Sequence, residues 1–190
     1  MKHPVSLIVV VFTASLVGCA TSPRGPYDPP AIAQRNPLKA QELTQQAAEL
    51  IDREPAKAES LLREALSYDL YHGPAHNNLG VVYLNQGKLY EAAHEFEWAR
   101  KLMPGHPDPR MNLALALERG GRIDEALATY ESALEVYPSH LPTIQALARC
   151  QIRHAKTDDR TAGFLSEIAF RSDDGQWRNW ARTQTIRLAQ

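Results

Sequence analysis

Residues 79–104, LGVVYLNQGKLYEAAHEFEWARKLMP, and residues 113–138, LALALERGGRIDEALATYESALEVYP, carry one pattern written twice. Corresponding positions of the two copies are 34 residues apart, with no gap between them. Small and large apolar residues recur within each copy at helical spacing, so each copy predicts two amphipathic helices. Pro104 and Pro138 close the copies, and proline cannot continue a helix. The stretch therefore predicts tandem helical hairpins.

Small residues indicate where the two helices of a copy cross. Gly80 and Ala92 in the first copy correspond to Ala114 and Ala126 in the second, and they leave room for close packing. A glycine also stands where each first helix must end, because glycine tolerates the left-handed conformation of a helix C-cap. The two C-cap glycines are Gly87 and Gly121.

Tandem units of this length and pattern resemble the tetratricopeptide repeat (TPR) family. The resemblance implies an all-α fold, a TPR solenoid of antiparallel helix pairs, and such solenoids bind proteins rather than catalyse reactions. The family often has tryptophan or another large apolar residue three positions before the first leucine of the pattern. His76 and Arg110 occupy these positions here, so this corner of each unit is expected to be more polar than usual.

The pattern continues on both sides of the two clear copies. A degenerate repeat precedes them, and a partial repeat follows with Leu147 and Ala148 in register. Trp177, Trp180, Ala181 and Leu188 then form an amphipathic stripe that Gln184 interrupts, which predicts a C-terminal capping helix. The predicted solenoid domain spans residues 39–190, with repeats at about 40–72, 73–106, 107–140 and 141–174 and a cap at 175–190.

The first residues predict an export signal. A basic start and a short apolar run lead to Leu16-Val17-Gly18-Cys19, and the run is too short for a membrane-spanning helix. The last four residues resemble a bacterial lipobox, which implies cleavage after Gly18 and lipid attachment to Cys19. The alternative is a plain secretory peptide with a chance cysteine. Residues 1–18 are thus the predicted signal peptide, and 19–38 are the lipidated cysteine and a proline-rich linker.

The lipoprotein resemblance also predicts a location. Ala20 follows the lipidated cysteine where an aspartate would favour retention in the inner membrane. We therefore expect a lipid-anchored protein of the cell envelope, at the outer membrane and facing the periplasm.

Composition and motifs exclude several classes of function. The formal net charge is −1, and no concentrated basic face suggests nucleic-acid binding. Phosphate-binding loops, zinc-protease motifs and nucleophile elbows are absent from the sequence, so neither an enzyme nor a cofactor is expected. His72 and His76 are four residues apart, but Gly73-Pro74 between them marks a helix start, so no metal site is expected. Cys150 is interpreted as a small buried apolar residue rather than a reactive thiol.

The TPR resemblance also implies a binding surface. In this family the first helices of the repeats line a concave groove, and the corresponding positions here form an apolar strip bordered by arginines. The Lys/Asn pattern of chaperone-type carboxylate clamps is absent. Part of the strip could instead pack under the C-terminal helix. The predicted groove residues are Asn77, Val81, Leu84, Asn85, Met111, Leu115, Glu118, Arg119, Gln145, Arg149, Ile152 and Arg153.

Trp98 lies at a second-helix position that is normally polar and convex. It is either an exposed interface residue or a replacement for the apolar residue that Arg100 displaces. The sequence as a whole predicts an envelope-anchored adaptor, acting in the assembly of an envelope complex, that binds a protein, peptide or helix with apolar anchors and an acidic flank. The alternatives are a regulatory subunit of a cell-wall enzyme and a carbohydrate-binding wall protein.

Overall fold

The computed structural model describes residues 35–190, which form nine α-helices and no strand. The predicted signal peptide, Cys19 and most of the linker lie outside the described residues. None of the nine helices is long and apolar enough to cross a membrane. The helices are α1 Pro37–Ala48, α2 Pro55–Tyr68, α3 Gly73–Asn85, α4 Leu89–Leu102, α5 Pro107–Arg119, α6 Ile123–Val136, α7 Leu141–Arg153, α8 Thr161–Arg171 and α9 Gly175–Leu188.

Successive helices pack as hairpins: α1 with α2, α3 with α4, α5 with α6, and α7 with α8. The first helices of neighbouring hairpins also contact each other: α1 contacts α3, α3 contacts α5, and α5 contacts α7. No comparable contact joins two second helices within the described residues. The first helices therefore form the tighter, inner layer of a helical solenoid. The predicted fold, an all-α solenoid of antiparallel helix pairs, is confirmed.

Close helix crossings explain the small residues of the pattern. Ala92, Ala114 and Ala126 are fully buried. A Cβ atom added to Gly80 would lie 2.5 Å from Cε1 of Phe96, and Phe96 is itself fully buried. Because carbon atoms in contact normally lie about 3.5–4.0 Å apart, only glycine fits at this crossing.

The first helices α3, α5 and α7 end in a left-handed turn, whereas the C-cap residue of α1, Glu49, is right-handed. Gly87 and Gly121 have φ angles of 74° and 78°, as the sequence predicts. The amide of the next residue then closes the helix, from Lys88 to the Tyr83 carbonyl at 2.9 Å in one repeat. The fourth repeat makes the same turn at Ala155, 34 residues after Gly121, with a φ of 52°. A non-glycine residue is strained in this conformation.

The C-terminal helix closes the array. Ala181 of α9 lies in a second core cluster with Leu165 and Ile168 of α8, and all three are fully buried. Trp177 and Trp180 are half-buried against the same cluster. The prediction that Leu188 belongs to the apolar packing face of α9 is wrong, because Leu188 is 46% exposed. Contact with α8 therefore covers only the first part of α9.

Candidate functional site

The inner layer presents most of the predicted groove residues to solvent. Ten of the twelve are half-buried or exposed. Those ten are Asn77, Val81, Asn85, Met111, Leu115, Arg119, Gln145, Arg149, Ile152 and Arg153.

The prediction that Leu84 and Glu118 line the groove is wrong, because both side chains are buried. Leu84 is 4% exposed and belongs to the main core cluster, so it offers no anchor to a ligand. Glu118 is 6% exposed and accepts hydrogen bonds from Tyr130 Oη at 3.2 Å and Arg153 Nη1 at 2.9 Å. Both residues lie in the last turn of a first helix, Leu84 in α3 and Glu118 in α5.

Arginines of the predicted groove connect neighbouring first helices. Arg119 Nη1 of α5 donates to the Leu84 carbonyl of α3 at 3.1 Å. Arg153, 34 residues later, makes the corresponding bond to the Glu118 side chain. Two of the three arginines that border the strip therefore also hold the layer together. Arg149 is the third, and its Nε is buried without a hydrogen-bond partner among the described residues.

Arg149 lies where two cavities meet. The first, of about 190 Å³, has an apolar floor on α5 and α7, and the second, of about 310 Å³, is bounded by α9. Arg149 and Trp177 line both cavities. We call the combined space the α5/α7/α9 cleft. Its other lining residues are Met111, Leu115, Tyr130, Pro142, Gln145, Ala146, Asp174, Gln176 and Trp180.

Tryptophans of α9 form one wall of this cleft. The guanidinium carbon of Arg149 lies 5.7 Å from the centre of the Trp177 ring, a cation–π contact. Trp177 and Trp180 pack edge to face, with ring centres 5.3 Å apart. Asp174 is the N-cap residue of α9 and stands at the start of this wall. Its side chain accepts a hydrogen bond from the backbone N–H of Gln176. The sequence predicts α9 and its packing against the solenoid. It does not show that Trp177 also faces the groove residue Arg149.

The apolar strip itself is divided between two environments. Val81, Met111 and Leu115 lie beside the main core cluster and are partly accessible. Ile152 packs on the second core cluster with α8. The accessible apolar anchors near Arg149 are therefore Met111 and Leu115.

Trp98 is half-buried and does not project freely into solvent. Its ring stacks on His76 at 5.7 Å, with the two planes 15° apart. His76 is 3% exposed, and its Nε2 lies 2.8 Å from the Leu70 carbonyl and its Nδ1 2.6 Å from Glu95 Oε2. The polar corner that the sequence predicts at His76 is thus a buried, fully bonded histidine, with Trp98 packed against it.

His72 is the N-cap residue of α3, outside the helix that contains His76, as the sequence predicts. Burial lowers the pKa of His72. Cys150 is fully buried, as predicted.

These features together define an α-solenoid protein with a cleft at the C-terminal end of its inner layer. Residues 48–96 and 77–140 match the family described as Tetratricopeptide repeat, so the chain carries TPR repeats. No curated protein matches the chain.

Solved TPR structures share the fold. The Sgt2 TPR domain from Aspergillus fumigatus is 21% identical with a TM-score of 0.60, over 67% of this chain and 85% of that domain. The first TPR of Spaghetti (RPAP3), bound to HSP90 peptide SRMEEVD, is 18% identical with a TM-score of 0.60, over 64% and 98%. MamA from Desulfovibrio magneticus is 16% identical with a TM-score of 0.59, over 76% and 77%. At these identities the similarity shows the fold alone.

Proposed function

We propose that the chain is an adaptor that binds a peptide or helix of a partner protein in the α5/α7/α9 cleft. The observation that carries the proposal is Arg149, a cation between an apolar floor and a tryptophan wall, whose buried Nε has no hydrogen-bond partner among residues 35–190. An arginine in this setting suits a carboxylate, because charge-assisted hydrogen bonds are the strong ones. Met111 and Leu115 suit an apolar side chain next to that carboxylate.

Peptide binding is known for the same fold. One TPR neighbour is bound to the HSP90 peptide SRMEEVD, and the second TPR domain of human RPAP3 is in complex with the HSP70 peptide SGPTIEEVD. Both peptides place acidic residues beside an apolar residue. We propose the same general class of ligand here, with Arg149 and the tryptophans in place of a carboxylate clamp.

The test is a binding titration with a partner captured by crosslinking from envelope extract. Leu115→Glu places a charge on the apolar floor and should weaken binding at least about tenfold. Arg149→Glu should weaken binding, because it places a negative charge where the carboxylate of the ligand would bind.

Matched controls separate the cleft from the rest of the surface. Ile186→Glu makes the same kind of change at an exposed apolar residue of α9, and Arg182→Glu makes the same charge reversal on α9 outside the cleft. Both controls should bind as wild type. If the cleft variants bind normally while Trp98→Ala loses the partner, the convex side is the binding surface and the proposal fails.

A carbohydrate ligand is the second candidate, and one specific observation favours it. Trp177 and Trp180 line the cleft beside the polar side chains of Asp174 and Gln176. Aromatic rings with a few polar groups are typical of small-molecule pockets. Titration with cell-wall glycan fragments distinguishes the candidates, because Trp180→Ala should then abolish glycan binding while Leu115→Glu leaves it intact.

We also propose that the adaptor is anchored in the cell envelope through lipid on Cys19. The support is the Leu16-Val17-Gly18-Cys19 sequence and the proline-rich linker that follows it. Stable anchoring takes more than one lipid chain, which the modified N-terminus of a bacterial lipoprotein supplies. Cys19→Ser should abolish fatty-acid labelling and release the chain from membranes. A variant that still takes up label and stays in the membrane fraction would contradict the anchor.

A further inference from the structure

Three possible metal ligands from two helices meet beside the inner layer. Glu118 lies in the last turn of α5, Cys150 lies in α7, and His154 directly follows α7. One donor atom from each, a carboxylate oxygen, a sulfur and a ring nitrogen, lies within 4.8 Å of the other two. His154 Nε2 and Glu118 Oε1 are 3.6 Å apart. Cys150 and His154 share a helical face because they are four residues apart.

The spacing suits a tetrahedral ion. Zinc binds cysteine sulfur at about 2.3 Å and histidine nitrogen or carboxylate oxygen at about 2.0–2.2 Å. Ligands at those distances from a tetrahedral centre lie about 3.3–3.8 Å from one another. The nitrogen–oxygen separation of 3.6 Å falls in this range, and the sulfur lies within 4.8 Å of both other donor atoms.

His154 Nε2 is buried and makes no hydrogen bond within the described part of the chain, because Glu118 Oε1 lies 3.6 Å away. A buried polar atom without a hydrogen bond is unfavourable, so such an atom calls for an explanation. A bound cation would supply the missing partner.

Tyr130 positions the carboxylate for this role. Its hydroxyl donates to Glu118 Oε2, and Oε1 is the oxygen that faces His154. Carboxylates that bind metals are commonly fixed by such outer hydrogen bonds.

We propose that Glu118, Cys150 and His154 bind one zinc ion, with a fourth position left for water or a ligand. Sulfur, imidazole and carboxylate together favour zinc over magnesium or calcium. The sequence predicts no metal site, because Glu118 is 32 positions before Cys150 and only the packing of α5 on α7 unites them.

Two local charges set the conditions for binding. Zinc binds cysteine as the thiolate, so the Cys150 thiol proton leaves to solvent as the zinc–sulfur bond forms. Arg153 Nη1 donates to Glu118 Oε1 at 2.9 Å and would compete with the cation. The Arg153 side chain is 56% exposed, so it can turn away into solvent.

The experiment is a titration of the purified, metal-free full chain with Co²⁺ and with Zn²⁺. Co²⁺ bound to a thiolate gives a charge-transfer absorption that reports a metal–sulfur bond directly. We expect one Co²⁺ per chain with this absorption, its displacement by Zn²⁺, and a higher Tm with zinc. Cys19→Ser should keep the absorption and Cys150→Ser should lose it, which assigns the sulfur.

Further variants test the remaining ligands. His154→Gln should weaken zinc binding at least about tenfold, whereas His94→Gln, at a histidine whose side chain is 60% exposed, should not. Arg153→Gln should tighten zinc binding, because it removes the competing cation from Glu118. His154→Gln changes a partly exposed residue and is expected to fold even if Cys150→Ser does not.

Several outcomes would overturn the proposal. They are a Co²⁺ complex without sulfur absorption, equal zinc affinity for wild type and His154→Gln, and the absence of stoichiometric binding by the folded wild-type chain.

Discussion

Replacing Gly80 with alanine adds one methyl group at the close crossing of α3 and α4. The new Cβ would lie 2.5 Å and 2.7 Å from two carbons of the Phe96 ring. Phe96 is fully buried, so the ring cannot move aside without disturbing the core between α3 and α4. Overpacking of this kind typically costs about 1–3 kcal/mol.

Helix propensity acts in the opposite direction. Alanine is more favourable than glycine within a helix by about 0.8–1.0 kcal/mol. Gly163 of α8 gives the matched control, because a Cβ there would contact nothing within 4 Å. Gly163→Ala should therefore stabilise the fold by about 1 kcal/mol, while Gly80→Ala should destabilise it by up to about 2 kcal/mol.

The comparison of the two variants isolates the packing effect, since the propensity gain is common to both. The difference in unfolding free energy should be about 1–3 kcal/mol, which is about 2–12 °C in Tm for a domain of this size. Urea unfolding followed by far-UV circular dichroism measures it. The double variant Gly80→Ala/Phe96→Leu should lose less stability than the sum of its single variants. Equal stability of Gly80→Ala and Gly163→Ala would refute the close crossing.

Three further predictions concern buried or strained groups, each read out by the free energy of unfolding. Glu95→Ala leaves Nδ1 of the buried His76 without its hydrogen-bond partner and should cost about 1–3 kcal/mol, whereas Glu97→Ala, in a surface ion pair, should cost at most about 1 kcal/mol. Ala155→Gly removes the strain of an alanine in the left-handed conformation and should stabilise the fold by about 1 kcal/mol. Burial lowers the pKa of His140, so the stability that neutral His140 contributes is complete above about pH 6.5 and lost below it. A His140→Gln variant should therefore lose less stability than wild type between pH 7 and about pH 5.5.

The repeat spacing was sufficient to predict the helix pairs and their C-caps. Each TPR hairpin is a local structure, because the residues that cross are within about one repeat of each other. Gly80 and Gly87 therefore carry information that can be read from a single sequence. The burial of Leu84 could not be read this way, because it depends on how far α5 overlaps the end of α3.

The cleft was only partly predictable for the same reason. Arg149 and Leu115 follow from their positions in the repeat, and both line the cleft in the structure. Trp177 lies outside any clear repeat, and its contact with Arg149 joins helices that do not follow one another in the chain. A sequence pattern fixes the side of α9 that is apolar, but it does not fix which neighbouring helix that side meets.

The third repeat differs from the second at two buried positions of the core. Leu84 and Phe96 of the second repeat correspond to Glu118 and Tyr130 of the third, each 34 residues later. The third repeat thus buries a carboxylate and a phenol where the second repeat is apolar. Sites where a sequence breaks its own structural rule are often functional sites.

The double variant Glu118→Leu/Tyr130→Phe tests this by giving the third repeat the apolar pair of the second. Replacing buried charged groups with packed apolar residues is often neutral or stabilising by about 1–4 kcal/mol, and the paired change leaves no unbonded tyrosine hydroxyl. We expect unchanged or higher stability in the metal-free chain, measured by urea unfolding, together with loss of zinc binding. Glu118→Leu alone should be less stable than the double variant, because it leaves the Tyr130 hydroxyl buried without its acceptor. If the double variant instead unfolds more easily in the absence of metal, the carboxylate serves the fold itself, and its departure from the repeat pattern needs no ligand to explain it.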